Sequence, residues 1–278
     1  MQLAVLYCTV LYCSLCMHTH SILKFVCCII SYRYSVFNIL RFTIMLWSVL
    51  ATLLLCSVIA RQALANNDDD LVEVYFGVGC YWHIQHEFVQ AERDILERTD
   101  RQLTSRAGYA GGTRLGPEGR VCYHNFQGIA DYGKLGHAEV VGMKIPEDKI
   151  QEFSNLYFGL FDSNTGERVD PQDRGAEYRS LIGLPQGTNH PMYAAVEAAA
   201  TAEGFHLETG KGNDPDTLGN NKLVYVYDSN KYPFHQAEVY MQFRDDFQSP
   251  PYGKDYHKLV ELALEDGRII GQGCPDTV

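Results

Sequence analysis

The chain has 278 residues and a formal net charge of −11 at pH 7, and all 34 of its acidic residues lie beyond position 65. Residues 1–65 carry four basic side chains and no acid, so the remaining 213 residues hold a net charge of −15. That balance excludes electrostatic capture of nucleic acid or of an anionic membrane surface, both of which need clustered positive charge.

The first 65 residues stand apart. They contain six of the nine cysteines (Cys8, Cys13, Cys16, Cys27, Cys28 and Cys56) and long apolar stretches. The last such stretch, 46–60, matches a signal-peptide core and falls short of the roughly 20 residues of a comfortable membrane span. Arg41 supplies a positive flank, and Ala63-Leu64-Ala65 a small-x-small cleavage site. The reading is a signal or targeting segment cleaved near Ala65, with Met45 as an alternative start and a retained membrane anchor as the rival. It directs residues 66–278 to the secretory pathway. Cys80, Cys122 and Cys274 remain beyond it. Three widely spaced cysteines do not make a disulfide scaffold, and without paired spacing no metal site is expected.

Residues 72–77 form an apolar run read as a short buried strand, and Gly77-Val78-Gly79 turns the chain into Cys80. Ile84, Phe88, Ala91 and Ile95 recur at helical spacing, so Cys80 falls at a helix N-terminus. Free amide N–H groups and the positive dipole end there favour a thiolate. The alternative is a small buried hydrophobe, the usual fate of a free cysteine. Residues 107–112 read as a glycine-rich turn and 113–135 as a polar loop containing Cys122. From Gly136 an alternating strand puts Glu139, Val141, Met143 and Ile145 on one face. The helix that follows, to about Leu160, has Ile150, Phe153, Leu156 and Tyr157 inward. A polar loop over 162–173 leads to a strand read over 174–182. An alanine-rich helix (193–204), a loop (207–221), a strand (223–227) and a closing helix to about Phe247 follow. A Gly- and Pro-rich flexible tail from about 250 contains one helical stretch, 255–264. The order predicts an α+β, two-layer sandwich with a mixed β-sheet, a ferredoxin-like core and long loops.

Five motifs occur in fixed order: Gly79-Cys80-Tyr81-Trp82, Gly108-Tyr109-Ala110-Gly111-Gly112, Gly136-His137-Ala138-Glu139-Val140-Val141, Asp173-Arg174-Gly175-Ala176-Glu177-Tyr178-Arg179-Ser180 and Phe234-His235-Gln236-Ala237-Glu238-Val239-Tyr240. Together they resemble the peptide methionine sulfoxide reductase A family, from about Val74 to Phe247. The resemblance implies thiol-dependent reduction of the S epimer of methionine sulfoxide, in oxidised proteins or peptides, without a bound cofactor. Cys80 would attack the sulfoxide sulfur and pass through a sulfenic acid. Tyr81, at the family's Phe, and Trp82 would pocket the S-methyl group. Glu139 would protonate the departing oxygen, and Tyr109, Asp173 and Tyr178 would hold the sulfoxide. A carboxyl on an apolar strand face should be hard to ionise, which agrees with the role implied for Glu139. Its other reading is a partner for a nearby Arg or a simple edge residue.

Resolution of the sulfenic acid falls to Cys274, to Cys122 or to an external thiol, with thioredoxin or another dithiol as the final reductant and a monomer as the expected state. His83, Phe161 and Met241 depart from the family pattern, as do the insertion at 123–135 and the long segment 183–221. Two rivals are a cysteine hydrolase or acyl transferase that pairs Cys80 with His137 or His235, and an inactive methionine-binding module.

Overall fold

The computed structural model describes Trp47 and residues 71–275 apart from positions 171, 220, 221 and 249. The signal segment and the Ala65 cleavage site lie outside the described residues, and residues 69–278 form a compact unit of their own. No helix among the described residues is long and apolar enough to cross a membrane.

The core is a split β-α-β unit. Strand β1 (Leu71–Gly77) leads to helix α1 (Tyr81–Leu96), and β2 (Arg106–Ala110) to the short α2 (Tyr132–Leu135) and β3 (Ala138–Pro146). Helix α3 (Ile150–Gly159) then returns the chain to β4 (Leu181–Leu184). These strands lie in the order β4-β1-β3-β2, all antiparallel, which is the ferredoxin-like arrangement. Helix α4 (Tyr193–Ala202) carries the chain into β5 (His206–Thr209), and β6 (Leu223–Asp228) pairs in parallel with both β4 and β5. At the opposite edge β7 (His235–Gln236) joins β2. The result is a mixed seven-stranded sheet, as expected for an α+β sandwich.

Alternation in the strands divides the core in two. Val74, Phe76, Val141, Met143 and Ile145 meet Ile84, Phe88, Ile150, Phe153 and Tyr157 of the helical layer. On the other face Tyr75, Val140, Leu181, Tyr225 and Tyr227 are covered by Tyr232 and Phe234 from the segment between β6 and β7. Inside the helical layer, Glu92 of α1 is fully buried and accepts from the backbone N–H groups of Thr104 and Ser105 and from Arg98. It anchors the α1–β2 connection.

Several segments differ from expectation. Residues 107–112 are mostly strand, not turn. Gly108 is there for close approach, because a Cβ would lie 2.3 Å from the Phe234 ring. The strand expected over 174–182 begins only at Leu181. Before it, Gly175 takes a left-handed φ of 111° and Ala176–Tyr178 form a 3-10 turn. The loop expected over 207–221 starts with β5, an exposed edge strand whose pattern is too polar to stand out. No helix runs to Phe247: a 3-10 turn at Val239–Met241 ends where the Gln242 side chain bonds Ala107 and Ala237 and Phe243 adopts φ 54°.

The stretch beyond 250, expected as a flexible tail, carries helices α5 (Lys254–His257) and α6 (Leu259–Glu265). Tyr256, Leu259, Ala263 and Ile269 bury themselves against Val89, Leu103 and Phe243, so apolar burial holds this segment on α1.

Candidate active site

The β1–α1 turn places Cys80. Gly79 has φ 69°, and a Cβ on it would lie 2.6 Å from the Asp173 carboxylate, so glycine is required both by conformation and by space. Cys80 is the N-cap residue of α1 and makes no side-chain cap bond, which leaves the first amides of the helix needing acceptors. Two carboxylates from distant parts of the chain supply them. Asp173 Oδ2 accepts from the Cys80 N–H at 2.8 Å, and Glu139 Oε2 accepts from the Tyr81 N–H at 3.0 Å. The Asp173 carboxylate, when ionised at this helix N-terminus, sits where the dipole favours it.

Cross-strand register brings the next groups in. Tyr109 of β2 lies directly opposite Glu139 of β3. The Tyr132 hydroxyl donates to Glu139 Oε1 at 3.0 Å, and the Tyr132 ring stacks on Tyr109 at 4.5 Å. The ring centroid of Tyr81 is 6.0 Å from those of both Trp82 and Tyr109. Trp82 is half-buried, with its indole N–H donating to the Met241 carbonyl. Tyr178 ends the 3-10 turn, and its carbonyl accepts from the Gly79 N–H. A small cleft beside Cys80 is lined by Val78, His83, Asp173 and Asp246. A larger groove between Arg106, Arg120, Phe234 and Gln272 lies elsewhere, against the C-terminal segment.

The electrostatics follow from burial. Glu139, only 2% exposed, is pushed up to about 8 by loss of solvent, with the Tyr81 N–H and the Tyr132 hydroxyl opposing the rise. Burial likewise lifts Asp173 to about 6, against the Cys80 N–H. The expectation of a thiolate at Cys80 is corrected. Burial, and next the charge of Glu139, push this thiol well above its usual value, and the N–H groups of Trp82 and His83 do not compensate. The dipole is outweighed because the sulfur is nearly out of water and faces two acids.

Thus Cys80, Tyr81, Trp82, Tyr109, Glu139, Asp173 and Tyr178 converge on one place. Cys122 and Cys274 do not join them. They are disulfide-bonded to each other, and Cys80 is the free, buried cysteine among the described residues. The closed pair leaves neither sulfur as a thiol.

The two histidines of the hydrolase reading, His137 and His235, are engaged elsewhere. Both ring nitrogens of His137 are committed to backbone, one accepting from Gly112 N–H and the other meeting the Arg114 carbonyl, and burial lowers its pKa to about 4. His235 packs edge-on against His137 rather than against Cys80.

Three contributors escaped sequence reasoning. Tyr132 sits in a segment read as loop. Arg168 bonds the carbonyls of Asp173 and Tyr178 and the Asp216 carboxylate, clamping the acid-bearing loop. Arg179, fully buried, ties the Gly111 and Gly136 carbonyls to Tyr227. A buried arginine has no periodic signature, although Arg179 did fall within a quoted motif.

The site is thus a cysteine at a strand–helix junction of a ferredoxin-like sheet, flanked by aromatic rings and facing a buried carboxyl that is hard to ionise. The profile of the family "Peptide methionine sulfoxide reductase" matches residues 72–210, half of the chain, and the chain belongs to that family. Among curated relatives, the peptide methionine sulfoxide reductase MsrA of Maricaulis maris is 29% identical over 146 residues, 52% of this chain and 58% of that protein. The MsrA of Pseudomonas aeruginosa is 29% identical over 177 residues, 62% of this chain and 67% of that one. A solved structure of methionine sulfoxide reductase A from Corynebacterium diphtheriae is similar over 66% of this chain and 84% of that one, at 16% identity and a TM-score of 0.39.

Proposed function

We propose that the protein reduces the S epimer of methionine sulfoxide in oxidised proteins or peptides to methionine. The observation that carries this reading is the buried Glu139 carboxyl, raised to about 8 and fixed on the Tyr81 amide next to Cys80. A sulfoxide oxygen leaves only when protonated, and a carboxyl still neutral at pH 7 is the donor it needs.

Cys80 sulfur bonds to the substrate sulfur as Glu139 protonates the oxygen. The thiol proton returns to Glu139, the oxygen ends on Cys80 as a sulfenic acid, and methionine departs. Cys80 sulfur is oxidised by two electrons and the substrate sulfur reduced by two. Tyr81 and Trp82 wall the S-methyl group, and Tyr109 and Tyr178 hold the sulfoxide. Asp173 fixes the Cys80 backbone. A second thiol then condenses with the sulfenic acid, releasing water, and a dithiol such as thioredoxin restores both thiols. With Cys122 and Cys274 paired, the resolving thiol comes either from this disulfide after its reduction or from an external thiol. A disulfide of this kind is also consistent with delivery to an oxidising compartment.

The test supplies separate S and R epimers of a methionine sulfoxide peptide with dithiothreitol to the wild type and to Cys80→Ser. Turnover of S alone, lost in the variant, is expected. Turnover of neither epimer by folded protein would reject the reading.

A further inference from the structure

Glu238 lies beyond the family-matched interval 72–210 and has no role in the chemistry above. It is nonetheless buried, 5% exposed, and each of its oxygens accepts a hydrogen bond. Its Oε2 accepts from the Tyr109 hydroxyl at 2.9 Å, and its Oε1 accepts from the Tyr123 N–H at 2.8 Å. A Glu238 carboxylate oxygen and the sulfurs of Cys122 and Cys274 all lie within 4.8 Å of one another. One carboxylate therefore bonds Tyr109 and lies beside a disulfide. From Tyr109 the path continues by ring stacking to Tyr132, whose hydroxyl donates to Glu139.

A phenol has one proton to donate. While Glu238 takes it, Tyr109 meets a sulfoxide oxygen without a donor. The disulfide brings no competitor, because its sulfurs carry no hydrogen. Reduction by a dithiol adds two electrons and two protons to the pair, breaks the S–S bond and leaves two S–H donors beside the same carboxylate, while the dithiol becomes a disulfide.

We propose that Glu238 is a positioning residue for Tyr109, and that the redox state of Cys122–Cys274 sets how firmly Glu238 holds the Tyr109 hydroxyl. Reduction of the pair frees the Tyr109 proton for substrate, so the reduced enzyme binds sulfoxide better than the disulfide form. The effect on substrate rests on the reading of Tyr109 as a sulfoxide-holding group; the coupling between Tyr109, Glu238 and the pair does not.

Coupling of this sort is reciprocal: if reduction of the pair weakens the Tyr109–Glu238 bond, loss of that bond must shift the pair's redox equilibrium. The first experiment equilibrates wild type, Tyr109→Phe and Glu238→Gln with fixed ratios of reduced to oxidised dithiothreitol, and measures the reduced fraction of Cys122 by alkylation and mass spectrometry. Tyr109→Phe is expected to move the midpoint ratio by a factor of about three or more, the scale of one hydrogen bond. An unmoved midpoint overturns the proposal whether or not the protein reduces sulfoxides. The second measures single-turnover sulfoxide reduction with the pair open or closed. Wild type is expected to show a lower KM with the pair open, and Tyr109→Phe and Glu238→Gln no difference. A difference that persists in Tyr109→Phe overturns the proposal. If no form reduces sulfoxide but the midpoint moves, the coupling stands and the functional reading fails.

Discussion

Titration of Glu139 is the sharpest consequence of the site. In water such a carboxyl has a pKa of 4.5, and burial raises it to about 8, a difference equivalent to roughly 5 kcal/mol in favour of the neutral form. Cys80 is also protonated at neutral pH. In the proposed reaction the reacting state then carries both protons, and the rate of sulfenic acid formation follows the neutral fraction of Glu139. That fraction is about nine-tenths at pH 7, one half at pH 8 and roughly one-eleventh at pH 9. Single-turnover reduction of an oxidised peptide, quenched and quantified as methionine, should be nearly level up to pH 7 and fall about tenfold by pH 9. Glu139→Gln should be slower by about 10²–10⁴-fold and lose that descending limb. A wild-type rate that climbs from pH 7 to 9 would refute the reasoning, because it would make the thiolate the reacting form. Stability offers an independent check. The folded protein keeps a proton that the unfolded chain releases above about 4.5, so this group's contribution favours folding at low pH and is lost as pH rises towards about 8. At pH 9 Glu139→Gln should therefore resist urea better than wild type, relative to the two proteins at pH 5.

Other changes probe the neighbourhood. The Tyr81 hydroxyl is buried beside that of Tyr109, so Tyr81→Phe should lower stability by about 0.5–1.5 kcal/mol in urea melts; a raised stability would show that the hydroxyl has no partner. Gly79→Ala forces a Cβ to within 2.6 Å of the Asp173 carboxylate at a φ of 69°, and should cut the single-turnover rate at least tenfold while leaving a folded protein by circular dichroism. Cys122→Ser opens the loop closed between Cys122 and Cys274 and should lower stability by about 2–4 kcal/mol under oxidising conditions, with no difference from wild type in excess dithiothreitol.

Much of this site was legible in the residues. A strand running into a glycine turn and then a 3.6-residue apolar rhythm marks a junction without any long-range information, and it located Cys80 at the start of α1. Alternation through β3 put Glu139 on the apolar face, and burial there is enough to predict a reluctant acid. The order of strands and helices sufficed for a two-layer α+β sandwich around one mixed sheet, while the ferredoxin-like strand order depended on β2, which reads as a glycine-rich turn in the sequence.

What needed the tertiary structure was whatever depends on two distant segments meeting. Local reasoning made Cys80 a thiolate from the helix dipole; the fold made it a thiol, since desolvation and the charges of Glu139 and Asp173 come from β3 and from a loop 93 residues away from it. The Tyr132 hydroxyl, the Arg168 clamp and the Glu238 carboxylate contribute through side chains whose partners are fixed only once the sheet is assembled. The pairing of Cys122 with Cys274 spans 152 residues. Spacing cannot reveal it, because it exists only where the docking of α5 and α6 brings the end of the chain back beside the β2–α2 connection.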